Sequence, residues 1–82
     1  MNLKQRFGSA VRARRKRLNM SQQELSFRLG ADQAYVSRIE RGQMNVTLDS
    51  VEQIASALGI GMENLLALPA SGNPDGEAGS SP

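Results

Sequence analysis

The sequence predicts an all-α domain, a compact bundle of five helices. Two observations carry this. Apolar residues recur at steps of three, four and seven, which gathers their side chains on one face of a helix, and no stretch alternates with the two-residue period of a strand. Polar start signals and Gly or Asn stop signals then cut the periodic stretches into segments of helical length.

The first segment, residues 3–18, puts Leu3, Phe7, Val11 and Leu18 on one face with Ala10 beside them, while Arg12, Lys16 and their neighbours cover the rest. Asn19 follows and tolerates the left-handed conformation that ends a helix. Ser21-Gln22-Gln23-Glu24 reads as a capping box, the Ser side chain accepting from the Glu amide and the Glu side chain reaching back. Met20 and Leu25 are placed as its hydrophobic staple. The second helix runs from Gln22 to Leu29 and stops at Gly30. Asp32 caps a third, Gln33 to Arg41, which Gly42 ends. A loop, Gln43–Val46, leads to Thr47, the cap of a fourth helix with the stripe Leu48, Val51, Ile54, Ala55 and Leu58. Gly59 ends it, and Gly61–Leu66 forms one last short helix. Ile60, Met62, Leu65, Leu66 and Leu68 exceed what five short helices can hide, so an uncovered apolar surface is expected there. From Pro69 to Pro82 every residue is Pro, Ala, Ser, Gly, Asn, Asp or Glu. That composition reads as a disordered tail behind a single domain of residues 1–68.

Composition removes whole classes of chemistry. The chain has 82 residues, no Cys and no His. Disulfides and thiolate metal sites are excluded, and the usual imidazole ligand and general base are missing. The Ser residues have no His to activate them, Asp49 and Glu52 stand three apart on a face expected to be solvated, and no Gly-rich phosphate loop is present. No apolar run approaches a membrane span of about 20 residues, and the N-terminus is too polar for a signal peptide. The expectation is a cytoplasmic, non-enzymatic protein with no metal, cofactor or small-molecule ligand and no membrane partner.

The net charge of +2 hides a division. Residues 1–41 hold all ten basic side chains against Glu24, Asp32 and Glu40, a net +7; residues 42–82 hold five acids and no base, a net −5. A basic half joined to an acidic half suggests a polyanion on one side only. A solvated basic helix would give the same pattern.

Two short helices joined through a turn containing Gly define a helix-turn-helix unit, here Gln22 to Arg41. With successive residues about 100° apart around the third helix, Val36 and Ile39 face inward. Gln33, Ala34, Ser37, Arg38 and Arg41 share the opposite arc. Amide, small apolar, hydroxyl and guanidinium groups are those that read base edges: Gln to adenine, Arg to guanine, Ala against a thymine methyl. Residues near the start of such a helix reach deepest into the major groove. Gln33, Ala34, Ser37 and Arg38 are therefore expected to read bases and Arg41 to contact phosphate. The amides around Gln22 and Gln23 open a helix toward the same side, which suits a phosphate.

The residues Met20-Ser-Gln-Gln-Glu-Leu25, Gly30, Tyr35-Val-Ser-Arg-Ile-Glu-Arg-Gly42 and Thr47-Leu…Ile54-Ala-Ser-Ala-Leu-Gly59 resemble the Cro/C1-type, or XRE-type, helix-turn-helix regulators over about residues 3–68. That resemblance implies a lambda-repressor-like DNA-binding domain in a bacterial or phage setting, nucleoid-associated. Asp32, Tyr35 and the run Glu40-Arg-Gly…Asn45-Val-Thr-Leu-Asp-Ser50 are most similar to the controller proteins of restriction–modification systems, small dimers on paired operators. The resemblance also implies an ion pair between Arg15 and Glu40 that ties the first helix to the third. It implies phosphate or DNA-surface contacts at Gln22, Tyr35 and Asn45, with a core-edge packing role open for Tyr35. Arg14 stands where the family often has Leu; it is expected to enlarge the basic surface toward phosphate and to thin the local core.

One small unit makes too few contacts for operator specificity, so a homodimer on double-stranded DNA is expected, with half-sites about 34–36 Å apart. Ile60, Met62, Leu65 and Leu66 are the expected dimer face. A second class competes: an antitoxin-like interaction module that uses the same apolar surface to neutralise a partner protein and binds its own operator.

Overall fold

Short polar side chains open four of the helices. In a computed structural model residues 2–67 are described, and among them lie α1 (Leu3–Arg17), α2 (Gln22–Leu29), α3 (Gln33–Glu40), α4 (Leu48–Ala57) and α5 (Met62–Ala67). Leu68 and the tail expected over 69–82 lie outside the described residues. Asn2, Ser21, Asp32 and Thr47 each hold an extended backbone. Each accepts, through its side chain, the amide N–H three residues on, at 2.9–3.1 Å. This satisfies amides that have no partner within the helix. The reciprocal capping box forms at α1 rather than α2. Gln5 Oε1 accepts from the Asn2 N–H at 3.0 Å, whereas the Glu24 carboxylate turns forward to Arg28 at 2.9 Å, a charged donor one turn along its own face. Asn19 (φ 55°) and Gly30 (φ 67°) take the left-handed conformation expected of them.

The core draws on every helix. Phe7, Ala10 and Val11 of α1, Met20 before α2, Leu25 of α2, Val36 and Ile39 of α3, Val51, Ile54 and Ala55 of α4, Leu58 at the C-terminal cap of α4, and Leu65 of α5 are all buried. Leu3 and Leu48 depart from the expected stripes: they are 76% and 73% exposed. Each is the first residue of its helix, and helical side chains lean toward the N-terminus, so a first-turn side chain overhangs the body it should pack on. Leu18, past the end of α1, is also exposed. Leu65 departs in the other direction. It is 0% exposed, so it belongs to the subunit core and cannot line a dimer face. Ile60 and Met62 are half-buried against the same core, and Leu66 stays exposed.

α1 packs against both α3 and α5, and α4 packs against α2 and α5. At the crossing of α1 and α3 the backbones meet. A Cβ on Gly8 would stand 2.3 Å from the Ile39 carbonyl oxygen and 2.8 Å from that of Glu40. Only a residue without a side chain lets α1 come this close to the last turn of α3.

Candidate nucleic-acid interface

The turn between α2 and α3 follows from three residues. Gly30 provides the left-handed end of α2, the Ala31 N–H returns to the Ser26 carbonyl at 2.9 Å, and Asp32 opens α3 through the Tyr35 amide. Buried Leu25 on α2 and Val36 and Ile39 on α3 turn the opposite face of α3 outward. On that face Gln33, Ala34 and Arg38 are exposed and Ser37 is half-buried. Arg41 caps the C-terminus of α3 and is exposed; Gln23 and Asn45 are exposed and Gln22 is half-buried. Tyr35 is half-buried and packs against the edge of the core. Phe27, on the outer side of α2, is 85% exposed, a position that helical periodicity did not single out.

A polar network holds α3. Arg15 donates Nε to Glu40 Oε2 at 2.7 Å and Nη2 to Oε1 at 3.0 Å, and its Nη1 donates to the Met20 carbonyl at 2.8 Å. The pair is buried, with side chains 10% and 3% exposed. Bidentate geometry and a third bond supply what a buried charge requires in place of water. Glu40 Oε1 also accepts from Gln22 Nε2 at 3.1 Å, and Gln22 Oε1 accepts from Gln33 Nε2 at 3.4 Å. The helix start expected to hold phosphate and the first expected base reader are therefore joined to each other and to the ion pair. Sequence spacing gave no sign of the bond between Gln22 and Glu40, because it crosses two helices. Ser26, buried on α2, donates to the Gln23 carbonyl at 2.7 Å and leaves no unsatisfied hydroxyl.

Arg14, expected among the phosphate contacts, is engaged within the fold. Its Nε donates to the Leu58 carbonyl at 3.1 Å and its Nη2 to the Gly59 carbonyl at 3.4 Å. It supplies the cation at the C-terminus of α4, whose own last turn carries no basic residue. All basic residues other than Arg14 and Arg15 are exposed, as are the described acids of the second half, Asp49, Glu52 and Glu63. Among the described residues no three metal-ligating side chains gather, and no helix is long and apolar enough to cross a membrane.

Residues 11–65 match the helix-turn-helix family. The chain belongs to that family, in its Cro/C1 form. The control protein C.BamHI of Bacillus amyloliquefaciens is 42% identical over 73 residues, 88% of this chain and 90% of the relative. The crystal structure of the restriction-modification controller protein C.AhdI from Aeromonas hydrophila superposes with a TM-score of 0.71 at 39% identity, over 74% of this chain and 88% of that one. The controller protein C.Esp1396I, solved as a tetramer in complex with its natural 35 base-pair operator, superposes with a TM-score of 0.73 at 26% identity, over 80% and 91%.

Proposed function

We propose that this helix-turn-helix protein is a sequence-specific DNA-binding transcriptional regulator of the controller type found in restriction–modification systems. It acts in the bacterial cytoplasm, on the nucleoid, without enzymatic activity. It sits as a homodimer on a two-fold operator with α3 in the major groove. Gln33, Ala34, Ser37 and Arg38 read base edges, while Gln22, Gln23, Tyr35, Arg41 and Asn45 hold the phosphate backbone. The observation that carries this reading is the outward face of α3: Gln33, Ala34 and Arg38 are exposed on a helix whose other face is locked into the core. The likeness to control proteins over most of the chain supports the subtype.

The twin subunit docks on apolar side chains that no described element covers. Leu66, with Leu3 and Leu48, rims a groove of about 460 Å³ floored by Phe7, Val46 and Val51. Ile60 and Met62, half-buried against the core, add to this face; Leu65, taken into the core, has no part in the interface.

Selection from random DNA at several salt concentrations tests the reading. A recovered palindrome with half-sites about 34–36 Å apart is the expected result. Arg38→Ala should then relax preference at one base pair and cost about 1–3 kcal/mol there. Binding that is salt-sensitive and blind to sequence would overturn it and favour a protein-interaction module.

A further inference from the structure

The groove rimmed by Leu3, Leu48 and Leu66 is apolar at its floor and charged at its edges. Lys4 and Arg6 both line it, and both are exposed. Glu63 is exposed one turn before Leu66 on α5, and residues three apart share a flank of a helix, so the acid stands beside Leu66. Among the described residues the ion pairs are Arg15 with Glu40 and Arg28 with Glu24. Lys4, Arg6 and Glu63 therefore have no opposite charge within the subunit. The two cations are not equivalent. With about 100° between successive residues, the order around α1 is Arg6, Leu3, Phe7, Lys4. Lys4 falls on the flank that carries Gly8 and Arg15, which meet α3. α1 packs against both α3 and α5, so Arg6 and Glu63 share the α5 edge of the groove and Lys4 stands on the other.

We propose that Glu63 of each subunit pairs with Lys4 of the partner subunit, and that this contact selects which subunits associate. It deepens the reading of the groove as the face of the twin subunit, and rests on that reading. A two-fold axis through a shared face sets each edge of one subunit over the opposite edge of the other, and every contact occurs twice. The edge with Leu66 and Glu63 then lies over the edge with Lys4, so acid meets base on both sides of the axis. Arg6, on the same edge as Glu63, is carried away from the acid of the twin. The apolar floor attracts without direction and accepts any apolar ridge of fitting size. Opposite charges at its rim fix the register and reject a subunit that brings a like charge. The basic half of the chain is thus not turned wholly toward DNA: Lys4 belongs to the acidic half of a second copy.

The test is sedimentation equilibrium of the full-length protein without DNA. Both side chains are exposed, so the substitutions leave the core alone, and circular dichroism checks that each variant keeps its helices. Glu63→Lys and Lys4→Glu should each weaken self-association by about tenfold, because symmetry turns both pairs into like charges at once. Mixed in equal amounts, the two variants should regain the wild-type affinity as a heterodimer, since each brings the charge the other lacks. One chain carrying both substitutions should regain it as a homodimer. Arg6→Glu added to Glu63→Lys should restore nothing. Wild-type association should weaken as salt rises, whereas an interface of apolar contacts alone would not. Failure of both the mixture and the Glu63→Lys, Lys4→Glu chain to recover overturns the proposal. Recovery with Arg6→Glu also overturns it, since that result assigns the wrong cation. A wild-type dimer indifferent to both single reversals keeps the groove as the dimer face and defeats the pair. Wild-type protein that stays monomeric at every concentration defeats the dimer reading and the proposal together, a separate result.

Discussion

α3 and α5 are both short helices carried on α1, and they are attached in different ways. α3 is held by directional contacts: the backbone crossing at Gly8, the bidentate pair of Arg15 with Glu40, and the Gln22 bond to the same carboxylate. α5 is held by burial, with Leu65 fully inside the core and Ile60 and Met62 half-buried around it. Apolar burial is non-directional and fixes proximity more than rotation. A bidentate ion pair fixes both. A helix whose side chains have to meet base edges needs its rotation and axial position set, whereas one that offers Leu66 to another surface needs only to stay in place. The attachment of each helix suits the role proposed for its exposed face.

That contrast can be broken at both ends. The largest effect is expected from Arg15→Ala, which leaves the Glu40 carboxylate buried without its cation. Stability should fall by about 3–5 kcal/mol, measured by urea unfolding; a loss under about 1 kcal/mol would mean that α3 is not held by the pair. Leu65→Ala comes next. It should cost about 2–5 kcal/mol through the cavity it leaves, yet keep the wild-type base preference when assayed below its unfolding midpoint. A changed preference would show that the attachment of α5 reaches the reading face after all. Smallest is Arg14→Ala, which removes the cation from the end of α4. A drop of about 1 kcal/mol in stability is expected, with no change in the salt dependence of DNA binding. A shallower salt slope would return Arg14 to the phosphate contacts.

Element boundaries were legible because they are written in single residues: Ser21, Asp32 and Thr47 at the starts, Asn19 and Gly30 at the ends. The face of α3 was legible because Val36 and Ile39 leave only one arc for Gln33, Ala34 and Arg38. Leu3 and Leu48 were misplaced for a definite reason: periodicity gives the angle around a helix but not the position along it, and both stand at an overhanging end. Leu65 was misplaced because counting apolar residues shows a surplus without showing which of them the core takes. Arg14 and the bond between Gln22 and Glu40 lay beyond sequence reading altogether. Each depends on which way a long side chain crosses a gap between helices that are far apart in the chain.

The crossing at Gly8 has one more consequence. Where side chains separate two helices, the gap has play in it, because rotamers can shift and let the helices slide or settle. At the Gly8 crossing itself there is no side chain to rearrange, and a residue without one has no rotamer entropy to lose on folding. The recognition helix is mounted against a hard stop. Its depth relative to α1 is set at that point by the thickness of two backbones.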